Sequence, residues 1–258
     1  MQDILSMATP SPTVVYNSAL VFFRMTGFFL PLPIFGSQQL PARIKIILIS
    51  ALSILIVTHT KPIPAPEHIL TMAIFSVKEF GLGLVLGYVF MCIMQVIFIA
   101  GEMVSMQMGL SFATLVDPET DINTPLIGQF YHLMMLLLLL GMNAHLALIQ
   151  VFTESMTLMP LGTFSVSEHF FQDVMGLLSW MLGAGLLIAL PVMLMLLMLN
   201  LATGMMSKAA SQLNIFSIGL PVSLLVGLFT LGLTTPAWAD HMLSLINTGM
   251  QKTTELME

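Results

Sequence analysis

Charge is what this sequence has least of. Only 8% of its 258 residues are Asp, Glu, Lys or Arg, against 57% hydrophobic, and its mean hydropathy is +0.97. A soluble domain carries about 25% charged residues, so this chain has too few ionisable side chains to coat a water-borne body. Seven Lys and Arg against thirteen Asp and Glu leave a formal charge of −6. Phosphate contacts need clustered basic residues, so nucleic acid is excluded as a partner. The single cysteine, Cys92, excludes an internal disulfide and a Cys-rich metal cage. Within its apolar run it reads as a small hydrophobe. The opening Met1-Gln2-Asp3 lacks the basic stretch of a cleaved signal peptide. The expectation is an integral membrane chain, or one whose apolar surface is covered by other chains.

What the sequence has instead is long apolar runs, at residues 13–35, 44–57, 80–100, 126–151, 174–201 and 213–233. About 20 apolar residues cross a bilayer core at 1.5 Å rise per residue, and the last four runs meet that length. The first carries Arg24 and is broken by Pro31 and Pro33; the second is too short to cross alone. Interrupted helices persist at membrane depth only where protein or water covers the freed backbone. The N-terminal quarter therefore reads as a broken helical hairpin packed on neighbours.

Three polar connectors separate the runs. Residues 58–66 hold three prolines and predict a stiff, extended link. Residues 116–125 carry Asp117, Glu119 and Asp121, and residues 153–173 end with Glu168, His169 and Asp173. None is long enough to fold alone and no repeat is present, so residues 1–258 read as a single all-α bundle. The basic residues Arg43 and Lys45 oppose Lys61 and Lys78 across the second run, and Lys208 opposes Lys252 across the sixth. That pattern gives no cytoplasmic excess of Lys and Arg, and the chain is not expected to thread the bilayer as an ordinary multi-span protein.

Arg24 is the costliest residue, at about 2.5–3.5 kcal/mol at a bilayer centre on insertion scales. It reads either as a substrate or ion contact, or as one half of an interhelical pair holding an assembly. Glu79 and Glu102 bracket the third run, about 34 Å apart along a helix. They are expected to sit at the two membrane boundaries, with Lys78 partly balancing Glu79. Between them Gly81, Gly83 and Gly87 predict a face for close helix approach, with Gly83 and Gly87 at GxxxG spacing.

The six histidines form no HExxH zinc motif, and no phosphate-binding or dinucleotide fingerprint occurs. Gly109-Leu110-Ser111-Phe112-Ala113 lacks the second glycine of a nucleophile elbow. No enzymatic activity and no cofactor are expected. A proton-coupled transporter using Glu79, Glu102, His132 or His145 would show inverted halves, which are absent.

Methionine is the positive anomaly, with 24 residues. Its flexible thioether suits a surface that must yield and reseal, although composition alone favours ordinary helix packing. Residues 103–115 join Met103, Met106 and Met108 to Phe112 and Leu115 among small residues. Apolar constrictions of this type gate pores by excluding water.

Several of these runs together resemble the FliR/SctT family of type III export-gate subunits. Arg24 with Pro31-Leu32-Pro33-Ile34-Phe35-Gly36 and Leu40-Pro41-Ala42-Arg43-Ile44-Lys45 is similar to the family's first block. Glu79-Phe80-Gly81-Leu82-Gly83-Leu84-Val85-Leu86-Gly87 is similar to the second. Gly101-Glu102 through Met108-Gly109-Leu110-Ser111-Phe112-Ala113 to Asp117-Pro118 is similar to the third. Asn143-Ala144-His145 and the run from Gln212 to Pro221 extend the resemblance over nearly the whole chain. Ser211, Lys208 and Ala144 depart from the family's usual Pro, Arg and Gly.

The resemblance implies membrane-associated helical hairpins within a helical, pseudo-symmetric assembly. Its implied partners are FliP, FliQ and FlhB, with other export-apparatus components, at the inner membrane and flagellar basal body. Unfolded flagellar proteins would be the cargo. It also implies a pore plug at Phe112 and Leu115 with Met106 and Met108 close by. Assembly contacts are expected at Arg24, Glu79, Gly83, Gly87 and Glu102.

Overall fold

The computed structural model describes residues 12–32, 41–58, 60–110, 126–163, 170–209 and 215–255. Among them the chain is all-α, with no strand. The helices are α1 (Pro12–Phe29), α2 (Ala42–Val57), α3 (Ile69–Gln107), α4 (Leu126–Gly141), α5 (Ala144–Leu158), α6 (Phe170–Ala209) and α7 (Ile215–Glu255).

Proline sets the early boundaries. A residue before proline is pushed out of helical geometry, and α1 ends just before Leu30-Pro31. The Thr58 to Pro66 connector is non-helical from Lys61 onward, where alternate prolines remove backbone donors. Inside α6 and α7, Pro191, Pro221 and Pro236 are carried without ending the helix.

Three helices, Ile69–Gln107, Gln172–Met206 and Gly219–Pro236, are long and apolar enough to cross a membrane. The fourth run departs from expectation. Residues 126–151 do not form one continuous helix but two, bent by 72° at Met142-Asn143, which together are apolar enough for one broken span; Asn143 adopts a left-handed φ of 56°. Its N–H closes on the Leu140 carbonyl at 3.1 Å, a short-range bond that finishes a helix. Asparagine is among the few side chains that tolerate this conformation, and Gly141 beside it weakens the last turn. Hydropathy runs straight through the break because one Asn and one Gly are averaged out by the apolar residues on either side.

The chain folds into two compact units, and α3, α6 and α7 contribute to both. One comprises residues 1–91, 145–175 and 249–258, the other residues 92–144 and 176–248. In the first, α1 packs on α2 and Phe28 meets Phe90 of α3 and Phe152 of α5 at centroid distances of 6.1 and 5.4 Å. In the second, the buried residues include Ile93, Val96, Ile97 and Val104 of α3, Tyr131 and Met135 of α4, and Val192 and Leu196 of α6.

Candidate functional site

The most unusual cluster lies in the first unit, where Arg24 and Glu79 are each 0% exposed. Arg24 Nε donates to Glu79 Oε2 at 2.5 Å. Its Nη1 donates to the carbonyl oxygens of Ser155 at 3.1 Å and Met159 at 3.0 Å. These carbonyls belong to the last turn of α5 and the residue beyond it, where a helix leaves acceptors unmatched and its dipole favours a cation. Glu79 Oε1 accepts the Gly162 N–H at 2.8 Å. Gly162 has φ +77° in a turn closed by the Thr163 N–H on the Pro160 carbonyl, a conformation that glycine adopts without strain. Nη2 of Arg24 has no partner among the described residues.

Of the two readings of Arg24, this geometry matches the interhelical pair, made here within the chain. Glu79 is wholly buried and takes Arg24 as its cation, while the adjacent Lys78 is exposed. A buried carboxylate needs a matched cation and further donors, and Arg24 with Gly162 supplies both.

Small residues make the approach possible. A Cβ at Gly83 would run into the Arg24 carbonyl, and one at Gly87 into the Phe28 carbonyl. Gly27 faces the Phe80 carbonyl from the α1 side in the same way. Gly81 does not share this role, since nothing lies within 4 Å of a Cβ built there. Asn17, 1% exposed, fastens the proline-rich connector to α1. Its Nδ2 donates to the Ile63 carbonyl at 3.0 Å and its Oδ1 accepts the Ile63 N–H at 3.1 Å. Sequence reasoning missed Asn17, although an amide in an apolar run was a visible signal. Burial, and then the Glu79 carboxylate, hold the neighbouring Tyr16 phenol above its ordinary pKa.

In the second unit the end of α3 is capped by its own backbone. Gly109, at φ +82°, donates its N–H to the Met106 carbonyl, and Leu110 donates to the Ser105 carbonyl. This pair of bonds is the Schellman arrangement, and it makes Gly109 a helix stop. Met106 is 59% exposed, whereas Met108 is 0% exposed against α7. The two methionines of the expected plug group thus differ in exposure within the chain. Phe112 and Leu115 lie outside the described residues. Glu102 is half-buried on α3.

No other cluster of reactive groups occurs among the described residues. No cluster of three His, Cys, Asp or Glu fit to hold a metal occurs among the described residues. His132 and His145 each bury Nδ1 without a partner among them, and His132 stands edge-on to Phe98. A recess of about 300 Å³ is lined by Ile56, Thr60, Thr153, Glu154, Met156 and Thr157. The hydroxyls of its threonines donate to nearby backbone carbonyls and do not converge on the space.

The fold and its buried pair define a class: an all-α chain with membrane-length helices and a buried ion pair that joins them. The family model for bacterial export proteins, family 1, matches residues 15–249, and the chain belongs to that family. It is 31% identical over 224 residues to the flagellar biosynthetic protein FliR of Escherichia coli K12, covering 86% of each chain. It is 30% identical over 226 residues to the FliR of Pectobacterium carotovorum, covering 86% of this chain and 87% of that one. With the FliR of Bacillus subtilis 168 the identity is 32% over 218 residues, 82% of this chain and 83% of that one. The resemblance read from the sequence blocks is borne out.

Proposed function

We propose that this chain is a non-enzymatic, pore-forming subunit of a flagellar type III export gate. In this reading it assembles with FliP and FliQ in the bacterial inner membrane at the flagellar basal body, with FlhB docked on it. Unfolded flagellar proteins pass through. The flagellar names of its relatives favour this branch over the injectisome SctT subunit.

The observation that carries the proposal is the bare apolar surface of α6. Only 22% of its apolar window is buried within the chain. Exposed large hydrophobics run from Met175 to Met206, about 47 Å along a helix rising 1.5 Å per residue. A hydrocarbon core is about 30 Å thick, and fitting such a stretch into it would need a tilt beyond the roughly 40° limit seen for membrane helices. Lipid cannot cover the whole length, so sister chains are the fitting solvent. A transporter reading loses support because both oxygens of Glu79 already hold partners.

Two experiments test this. Pulling down the tagged chain in mild detergent should bring FliP and FliQ with it; a lone, well-folded chain would refute the reading. Within the assembled gate, Phe112→Ala with Leu115→Ala should raise ion or small-solute leak without lowering complex yield. Unchanged conductance in assembled gates would remove those two residues from the plug.

A further inference from the structure

We propose that Ser223 and Gly227 of α7 form a seat for Met108, and that this seat fixes where and in which direction the chain leaves α3. Met108 is then a positioning residue, not a pore-lining one. The consequence for transport rests on the gate reading above; the seat itself rests on geometry alone.

Ser223 and Gly227 are four residues apart, so they share one face of α7. Gly227 leaves a notch: a Cβ built there would stand 2.6 Å from Met108 Cγ and 2.7 Å from both Sδ and Cε. The whole thioether end of the side chain therefore lies where any larger residue would put its first carbon. One turn earlier, the Ser223 hydroxyl donates to the Met108 carbonyl oxygen at 3.0 Å in a buried setting. Its other acceptor, the Leu220 carbonyl at 2.9 Å, belongs to its own helix.

The Met108 carbonyl is a helix-end acceptor that neither cap bond uses, since Gly109 and Leu110 close on Met106 and Ser105. Ser223 is its only donor among the described residues, and a buried carbonyl left unmatched is costly. One face of α7 thus holds the residue that follows α3 by both side chain and backbone. The left-handed Gly109 follows at once, so the chain's exit direction is set from a fixed point. Met106, two residues earlier, makes no such contact and is exposed.

The test places a nitroxide on Leu110→Cys in the assembled complex, with the unlabelled wild-type complex as background; Cys92 is 0% exposed and resists labelling. Gly227→Leu and Ser223→Ala should each loosen the label. Pairing Gly227→Leu with Met108→Ala returns side-chain volume to the notch from the other side and should restore the wild-type spectrum. Leak through the gate should rise and fall in the same order. An unchanged label in both single variants, or a pair no better than Gly227→Leu alone, overturns the seat. If Gly227→Leu prevents assembly, Ser223→Ala, which deletes only a hydroxyl, decides. A label that loosens and recovers while leak stays constant supports the seat and counts against the plug.

Discussion

The two units hold their helices together by different chemistry. In the first, α1 and α3 meet backbone to backbone at Gly27, Gly83 and Gly87, and a buried Arg24–Glu79 pair ties that contact to the end of α5. In the second, the close contacts pair small residues with neutral groups: Gly101 with Gly128, Gly185 with the Val96 carbonyl, Gly227 with Met108. Small-residue packing works equally well at many similar interfaces. A charged group wholly out of water tolerates one arrangement and penalises the rest. The first unit is therefore the region with the more exacting geometry, the second the one with more freedom to adjust.

The largest expected effect breaks the charged contact from one side. Glu79→Leu strands the Arg24 guanidinium and should destabilise the first unit by about 3–5 kcal/mol, read as lost folded chain and lost complex in mild detergent. Arg24→Leu combined with Glu79→Leu should recover most of that loss. A Glu79→Leu chain as stable as the parent would show that the pair does not define this unit.

The glycines sharpen the contrast at a smaller scale. Gly83→Ala drives a methyl into the Arg24 carbonyl, and Gly101→Ala sets one 2.9 Å from the Gly128 Cα. Overpacking of this kind costs about 1–3 kcal/mol. Thermal melts of the detergent-solubilised complex should show Gly83→Ala as the worse of the two, because its displacement also moves Arg24. The smallest effect has the opposite sign: Gly81 sits in a helix with open space around it. Gly81→Ala should stabilise by about 0.5–1 kcal/mol through chain entropy and helix propensity alone.

Much of the fold was legible because apolar run length and helix length are linked by the bilayer. The third and fifth runs, and the sixth from Ile215 onward, each fall within a single long helix, although the helices extend well past them. Polar residues such as Asp240, His241 and Lys252 continue α7 without adding to hydropathy. The site was legible only in part. Arg24 stood out as a charge in an apolar run, but its carboxylate partner lies 55 residues away and its other partners are main-chain carbonyls. Carbonyls leave no trace in a sequence. Helix geometry could have divided two groups that were read as one. Residues two apart point to different faces, which separates Gly81 from Gly83 and Met106 from Met108.

The long reach of Arg24 has a consequence for how the polypeptide is made. Glu79 follows Arg24 by 55 positions, and the carbonyls of Ser155 and Met159 by 131 and 135. During synthesis, α1 therefore emerges well before the carboxylate and carbonyls that hold its guanidinium in the folded chain. Alone at a bilayer centre that charge would cost about 2.5–3.5 kcal/mol, a penalty relieved first when Glu79 is made and further when the end of α5 arrives.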